Sequence, residues 1–183
     1  MLKFTLIFVI LNFYTPTFSS TKEKIISQMM VINILSFDFV QTIDKKKEKG
    51  SCIIKYPKKI YCEYDSSNKK IISNGKYLVI KNTDSRNHYI YPLKKTPLEI
   101  LLNKNYLISK IKNLDLKLID NKFLAFKILE NNNQLNIFFD KDTLILTGWQ
   151  TEDIYQNLIM TYISSIKINQ NVDDRIFILP KND

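Results

Sequence analysis

Residues that could carry out chemistry are few and scattered in this chain of 183 residues. The single histidine, His88, lies between Asn87 and Tyr89 at the start of a predicted strand, with no nucleophile motif beside it. A Ser-His-Asp or Cys-His triad would need this histidine. The acidic residues form neither a His-Glu-x-x-His motif nor a calcium loop, and nothing supports a glycosidase carboxylate pair. The sequence therefore predicts a protein that is not an enzyme and that uses no metal and no cofactor.

The two cysteines, Cys52 and Cys62, are too few for a zinc site, which normally needs four ligands. In an oxidising compartment they predict a disulfide across a hairpin that turns at residues 56–58. This bond needs the register that places Cys52 opposite Cys62, at a Cα separation that a disulfide accepts. A two-residue turn at residues 57–58 would instead oppose Cys52 to Glu63, and the bond would fail.

The composition excludes some classes of function. Three glycines in the whole chain argue against the Gly-rich phosphate loops of Rossmann and P-loop proteins. The formal net charge is +9, but only Arg86 and Arg175 are arginines, so the positive charge comes almost entirely from lysine. Because lysine is a poor substitute for arginine in bidentate recognition of bases, we expect no nucleic-acid partner.

Residues 1–20 have the layout of a secretory signal peptide. One lysine, Lys3, precedes an apolar run from Phe4 to Tyr14, and Thr17 and Ser19 provide the small residues of a cleavage site. The run is too short to span a bilayer as a stable helix, which takes about 20 residues. We therefore expect export, removal of residues 1–20 together with Lys3, and a single domain over residues 21–183.

The first element after this leader is predicted to be an amphipathic helix over residues 22–35. Its apolar residues recur at helical spacing, and charged residues occupy the opposite side. A second helical segment is predicted where Thr96 provides an N-cap and Pro97 the first helical position, ahead of Ile100, Leu101 and Leu102. A further helical stretch is predicted over residues 106–111.

The rest of the chain has the texture of short antiparallel strands separated by turn residues. Twelve runs fit, one of which we expect to be a false assignment: residues 37–43, 51–56, 59–64, 70–73, 76–81, 88–91, 114–119, 123–129, 135–139, 144–149, 158–168 and 175–179. Asn74 and Gly75 are the favoured pair for a two-residue type I′ turn. The fold class is therefore mainly β, with some helix, in a meandering sheet of about eleven strands.

Several segments in order resemble the family of the outer-membrane lipoprotein carrier protein LolA. They are Phe37-Asp-Phe-Val-Gln41, Gly50-Ser-Cys-Ile-Ile-Lys-Tyr-Pro57, Glu63-Tyr64, Ile71-Ile-Ser-Asn-Gly-Lys76, Tyr91-Pro-Leu-Lys-Lys-Thr-Pro-Leu98, Leu101-Leu102, Leu146-Thr-Gly-Trp149 and Phe177-Ile-Leu-Pro180. The resemblance implies an unclosed antiparallel barrel with a helical lid over an apolar cavity. It also implies a periplasmic chaperone that takes acylated lipoproteins from an inner-membrane releasing transporter to an outer-membrane acceptor, acting as a monomer.

Under this resemblance the lipid-binding residues are apolar side chains of the helices and of the sheet face beneath them. The candidates are Ile25, Met29, Met30, Phe37, Phe39, Ile54, Ile60, Leu98, Leu101, Leu102 and Trp149. Methionines suit a surface that repacks around variable chains. For any one of these residues, a place in an ordinary core is the competing interpretation.

One position departs from the family pattern. Tyr56 stands before Pro57, where the family commonly has an arginine that hydrogen-bonds to the lid. A tyrosine offers one hydroxyl in place of five N–H donors, so a contact with the lid here is weaker or is built differently. We expect the Tyr56 hydroxyl to reach a backbone carbonyl of one of the helices.

Two alternative functions remain open at this stage. A basic exported module could bind an anionic envelope component, and salt would then weaken its binding strongly. A soluble relative of the outer-membrane acceptor is the other alternative, although such a protein would normally carry a lipid anchor and the leader contains no cysteine.

Overall fold

The computed structural model describes residues 18–82, 84, 88–130, 133–152 and 157–180. Most of the predicted leader, residues 1–17, lies outside this part of the chain. The first helix, α1, spans Phe18–Val31, so the expected extent of residues 22–35 is wrong at its C-terminal end. The helix ends there because the side-chain carbonyl of Asn169 accepts hydrogen bonds from the backbone N–H groups of Asn33 and Ile34, which turns the chain into a strand.

Eleven antiparallel strands form one sheet, which confirms the predicted mainly β fold. The strands are β1 Ile34–Ile43, β2 Lys46–Lys55, β3 Lys59–Tyr64, β4 Lys69–Asn74, β5 Tyr77–Asn82, β6 His88–Pro92, β7 Lys117–Ile119, β8 Phe123–Glu130, β9 Asn133–Asp140, β10 Leu146–Glu152 and β11 Leu158–Ile168. Alternation of buried and exposed residues along β1 and β3 places one face of the sheet against the core.

The order of the strands across the sheet is β6-β5-β4-β3-β2-β1-β11-β10-β9-β8-β7. Two meanders, β1 to β6 and β7 to β11, therefore meet where the first strand pairs with the last, for example at Leu35 and Ile168. The ends of the sheet, β6 and β7, do not pair with each other, so the curved sheet stays open.

The β2–β3 hairpin has the register that the disulfide needs. Lys55 pairs with Lys59 across a turn of three residues, 56–58, and Cys52 pairs with Cys62. The two sulfur atoms are bonded, with the Cα atoms 4.1 Å apart. The alternative turn, with Cys52 opposite Glu63, does not occur.

The β4–β5 hairpin turns one residue later than predicted. Ser73 pairs with Leu78, so the two residues between the strands are Gly75 and Lys76 rather than Asn74 and Gly75. The side-chain oxygen of Asn74 accepts the backbone N–H groups of Lys76 and Tyr77 at 2.9 and 3.0 Å, while Gly75 adopts a φ of 97°. The Asn74 side chain, at the first position of the turn, therefore stabilises the turn. Gly75, at the next position, adopts the positive φ that glycine tolerates.

The false assignment among the twelve runs is the last one, residues 175–179. This segment is a 3₁₀ helix, Asp174–Phe177, because the Asp173 side chain accepts the backbone N–H of Arg175 and starts a helical turn. Phe177 is buried, and the helix packs against β3 and β4. An ion pair of 2.7 Å between Lys55 Nζ and Asp174 Oδ1 also fastens it to the sheet.

Between β6 and β7 lie a 3₁₀ helix, Leu93–Lys95, and two α-helices, α2 Leu98–Leu102 and α3 Lys104–Lys112. The predicted helices are present, but the Thr96 side chain does not cap α2; its hydroxyl donates to Leu93 O at 2.8 Å. The three helices α1, α2 and α3, called the lid below, pack over the inner face of the sheet, and α1 contacts α3.

Candidate functional site

Two cavities lie on the inner face of the sheet. The first, cavity A, has a volume of about 230 Å³ and lies between the lid and the strands β9, β10 and β11. Its walls are Gln28, Met29, Val31, Ile32, Leu35, Tyr56, Leu101, Lys104, Leu107, Ile137, Phe139, Leu144, Ile145, Leu146, Ile166 and Ile168. Nearly all of these side chains are aliphatic or aromatic, so the cavity offers an apolar surface to a ligand.

The few polar wall residues of cavity A direct their donors elsewhere. Lys104 Nζ donates to Met30 O at 2.9 Å and to Ile32 O at 2.6 Å, both at the C-terminal end of α1. Gln28 Nε2 donates to Thr143 O at 3.4 Å. These bonds occupy donors of Lys104 and Gln28, and the other wall side chains, apart from the Tyr56 hydroxyl, are aliphatic or aromatic, so the cavity is mainly apolar.

The second cavity, cavity B, has a volume of about 500 Å³ and lies on the β1–β6 side of the same face. Its walls are Phe39, Gln41, Ile43, Cys52, Ile60, Cys62, Tyr64, Lys69, Ile71, Leu78, Ile80, Tyr91, Lys95, Thr96, Pro97, Leu98, Trp149, Thr151, Glu152, Ile159 and Thr161. The disulfide forms part of the wall. Cavity B combines an apolar floor with a larger share of polar and charged side chains than cavity A.

The polar part of cavity B is an ordered hydrogen-bond chain. The Tyr64 hydroxyl donates to Gln41 Oε1, and Gln41 Nε2 donates to Thr161 Oγ1, both at 3.1 Å. Next to it, Lys69 Nζ lies 3.8 Å from the centroid of the Tyr64 ring and 2.6 Å from Glu48 Oε2. These contacts fix the positions of the polar groups before any ligand arrives.

Glu48 is a buried carboxylate that two lysines balance. Lys46 Nζ lies 3.0 Å from its Oε1, and Lys69 Nζ lies 2.6 Å from its Oε2. Burial acts to raise the pKa of Glu48, but the hydrogen bonds from Lys69 and Lys46 outweigh burial and hold the pKa below its usual value. Of these three residues only Lys69 lines cavity B, so the ion pair with Glu48 fixes this lysine at the cavity wall.

A packed region separates the two cavities. Leu35, Phe37 and Phe39 follow one another on the inner side of β1: Leu35 lines cavity A, Phe39 lines cavity B, and Phe37 lies between them. The Phe37 ring meets the Trp149 ring edge to face, with centroids 5.9 Å apart. Ile25, Ile54 and Leu102 are completely buried in the same core.

The structure distributes the predicted lipid-binding residues over four locations. Met29 and Leu101 line cavity A, whereas Phe39, Ile60, Leu98 and Trp149 line cavity B. Ile25, Phe37, Ile54 and Leu102 belong to the packed core and line neither cavity. Met30 also lines neither cavity, and 60% of its surface is exposed to solvent, because it lies one residue beyond Met29 around the helix.

Tyr56 lines cavity A beneath the lid, but its hydroxyl has no hydrogen-bond partner within the described residues. The expected bond to a helix carbonyl is therefore missing. Burial raises the pKa of the Tyr56 hydroxyl, and Lys104 Nζ lies 5.6 Å from the centroid of its ring. Tyr56 contributes an aromatic wall and a surface on which the lysine rests.

Side chains that the sequence analysis missed fasten the lid. Lys104 holds the C-terminal end of α1, and Asn169 joins it by donating its Nδ2 to Val31 O at 2.9 Å. At the other end, Lys22 Nζ donates to Lys112 O and Leu114 O, both at 3.1 Å. A cation at the C-terminal end of a helix is also favoured by the helix dipole. In the sequence, Lys104 and Lys22 look like the many other lysines of the chain. No local pattern therefore indicated that they fasten the lid.

The α2 helix is held to the β2–β3 turn. Lys58 N–H donates to Leu102 O at 2.9 Å, and Lys58 Nζ lies 2.6 Å from Glu99 Oε1. These two contacts anchor α2 to the sheet. Among the described residues no group of three or more His, Cys, Asp or Glu side chains could hold a metal ion.

Comparison with known proteins decides the family. The model of the outer membrane lipoprotein carrier protein LolA family matches residues 31–179. The chain belongs to the LolA family. This match confirms the resemblance that the ordered sequence segments indicated, and it covers every strand of the sheet.

Comparison with solved structures finds similar chains at low sequence identity. A LolA superfamily protein, NE2245 from Nitrosomonas europaea, has 9% identity and a TM-score of 0.46, with 86% of this chain and 97% of that chain covered. A DUF1329 family protein from Desulfovibrio piger has 8% identity and a TM-score of 0.46, with coverage of 87% and 96%. For the MucA/MucB complex of Pseudomonas aeruginosa the identity is 9% and the TM-score is 0.47. The match covers 88% of this chain and 61% of that chain.

No curated protein sequence matches this LolA family chain. Within the described residues, no helix is both long enough and apolar enough to cross a membrane. The family assignment therefore rests on the match of the family model.

Proposed function

We propose that this protein is a periplasmic chaperone that binds the acyl chains of lipoproteins and carries them from the inner to the outer membrane. The observation that carries this proposal is cavity A, an apolar space beneath the lid in which Lys104 and Gln28 already donate hydrogen bonds to backbone carbonyls. Cavity B, on the same face, adds volume in the range of small-molecule sites, which is about 300–1,000 Å³.

Energetics favour an alkyl ligand over a polar one. Each CH₂ group that moves from water into an apolar cavity gains about 0.8 kcal/mol, so a long acyl chain provides the driving force by itself. A carrier must also cover this surface when it is empty. The lid provides this cover. Its helices α1 and α3 are joined by hydrogen bonds from Lys104 and Lys22 to backbone carbonyls, and such bonds can break and re-form without unfolding the sheet.

The cellular route follows from the predicted leader and from membership in the family. Export of the chain and cleavage near Ser20 would place it in the periplasm, where it would act as a monomer. Its partners would be acylated lipoproteins, an inner-membrane releasing transporter and an outer-membrane acceptor. The protein would carry its cargo without catalysis, metal or cofactor.

The test is calorimetric binding of saturated fatty acids from laurate to palmitate, at low and at high salt. We expect the affinity to rise with chain length, since burial of additional CH₂ groups drives binding, and to change little with salt. Native mass spectrometry of the protein isolated from its host envelope should show acylated species bound to it. Affinity that is independent of chain length but is lost at high salt would overturn the proposal and favour binding of an anionic envelope component.

A further inference from the structure

The two open edges of the sheet differ in how well they are protected against pairing with another strand. The β7 edge has three residues, one of them Lys117, and is followed at once by Asp120. The β6 edge has five residues, His88–Pro92, with no lysine, arginine or acidic residue. Short length, charge and proline are the usual means of blocking an edge; β6 lacks the charge, and its proline, Pro92, is the last residue of the strand.

The β6 edge also exposes apolar and aromatic surface. Tyr89, Ile90 and Tyr91 are 66%, 42% and 43% exposed, and Tyr77 on the neighbouring strand is 37% exposed. In a strand, alternate residues point to opposite faces, so Tyr89 and Tyr91 lie on one face and Ile90 on the other. An incoming strand would find side-chain partners on both faces.

Free backbone groups on this edge can be located from the ladder. Leu93 N–H donates to Lys76 O at 3.0 Å, one step beyond the pairing of Tyr77 with Pro92. Because hydrogen-bonded and non-hydrogen-bonded pairs alternate in an antiparallel ladder, Tyr91 bonds to β5, whereas the N–H and C=O of Ile90 point toward the open edge. No described strand pairs with that side of β6.

The edge is continuous with cavity B. Tyr91 belongs both to β6 and to the wall of the cavity, and Lys95, Thr96 and Pro97, which follow β6 closely in sequence, line the same wall. Tyr91 and Lys95 are exposed as well, so the cavity reaches solvent along this rim. A polypeptide attached to an acyl chain inside cavity B would leave the cavity beside β6.

We propose that β6 binds the extended polypeptide that follows the acylated residue of a cargo lipoprotein, as an added antiparallel or parallel strand. This inference rests on the proposed function, because an acyl chain in cavity B brings the polypeptide to the edge. Only another extended backbone matches the spacing of the free N–H and C=O groups, and the exposed side chains of β6 provide the contacts between strands. Backbone N–H and C=O groups are the same in every polypeptide, so this part of the binding does not depend on the cargo sequence.

The experiment compares three ligands by calorimetry: palmitate, an N-palmitoyl hexapeptide of alternating valine and threonine, and the same lipopeptide with N-methyl groups on alternate residues. We expect the native chain to bind the unmethylated lipopeptide at least about tenfold more tightly than either other ligand, because only it adds backbone hydrogen bonds. Equal affinities for the two lipopeptides would overturn the inference.

Two variants at Ile90 and one matched control complete the test. Ile90→Pro removes the outward N–H without breaking a bond to β5, and Ile90→Lys places a charge on the edge. Both should lose the tenfold advantage of the lipopeptide and keep the palmitate affinity. Leu118→Lys, at a position of β7 that is 44% exposed, should keep both affinities. Equal loss in the Leu118 variant would contradict a specific role of β6.

The outcomes separate this inference from the proposed function. If palmitate binds but the lipopeptide gains nothing, the role of β6 is wrong and the acyl-binding function stands. If the native chain binds no palmitate, the proposed function fails first. If sedimentation shows a dimer of the native chain that Ile90→Lys abolishes, the edge pairs with a second copy and the inference about cargo is overturned.

Discussion

Cavity A and cavity B occupy the same face of one sheet, yet they differ in size, in wall chemistry and in what closes them. Cavity A is smaller and apolar, and it lies under the lid. Within the lid, Lys104 of α3 donates hydrogen bonds to carbonyls at the end of α1. Cavity B has about twice the volume, and its wall includes the disulfide and Lys69, which forms an ion pair with the buried Glu48. The two cavities therefore offer different surfaces to a ligand, an almost wholly apolar one in cavity A and a partly polar one in cavity B.

The largest expected effect concerns the disulfide in the wall of cavity B. Replacing both cysteines, Cys52→Ala with Cys62→Ala, should lower the free energy of unfolding by about 2–3 kcal/mol, because the disulfide no longer restricts the unfolded chain. Urea denaturation of the variant beside the native chain measures this loss. Reduction of the native chain is the control and should give the same shift; a change below about 0.5 kcal/mol would contradict a stabilising role.

The next effect concerns the closure of cavity A. Lys104→Met keeps the length of the side chain but removes the two hydrogen bonds to the end of α1, which should cost about 1–2 kcal/mol of stability. Uptake of an apolar dye should rise as α1 loosens. Tyr56→Phe is the matched control: its hydroxyl has no hydrogen-bond partner within the described residues, so both measurements should stay at the native values. A response of Tyr56→Phe equal to that of Lys104→Met would transfer the role to the tyrosine.

Filling each cavity in turn tests which one limits acyl binding. Ile166 lines cavity A and Ile71 lines cavity B, and both are partly exposed. Both cavities offer apolar volume to an acyl chain, so Ile166→Trp and Ile71→Trp should each weaken palmitate binding by about three- to tenfold. Calorimetry of the two variants gives the comparison. Loss of affinity in Ile166→Trp alone would confine the acyl chain to cavity A and would remove the link between cavity B and β6.

The smallest effect is the pH dependence of the ion pairs that Glu48 forms with Lys46 and Lys69, beside cavity B. The pKa of Glu48 in the folded chain is below its ordinary value, so its contribution to stability is present above that ordinary value and is lost as the pH falls through the lowered pKa. We expect Glu48→Gln to lower the Tm by about 2 °C at pH 7. This difference should disappear near pH 3 in thermal unfolding; a difference that is the same at both pH values would exclude the carboxylate charge as its source.

Local patterns in the sequence were enough to predict the strands, the helices and the register of the cysteine hairpin. They failed where a single side chain decides the local structure. Residues 175–179 form a short run rich in β-branched and aromatic residues, like a strand, but the Asp173 side chain starts a 3₁₀ turn there. The β4–β5 turn moved by one residue because Asn74 accepts two backbone N–H groups.

The site was predictable as a set of apolar residues but not as two cavities. Phe37 and Phe39 are both phenylalanines on the inner side of β1 and are equally buried. Only the tertiary structure shows that Phe37 packs on Trp149 between the cavities, whereas Phe39 lines cavity B. Met29 and Met30 are adjacent in sequence, and the phase of α1 against the sheet decides which faces inward. The role of Lys104 depends on carbonyls more than 70 positions away in sequence, which no local pattern encodes.

The pairing of β1 with β11 has a consequence for how the chain reaches this structure. Each meander consists of neighbouring strands and can form from local contacts, but the seam that joins them pairs residues such as Leu35 and Ile168. Loop-closure entropy makes such distant contacts slow to form. Asn169, directly after this last strand, also anchors the end of α1. The continuous sheet face and its cover therefore depend on the same long-range contacts, which form only when the chain through Asn169 is present.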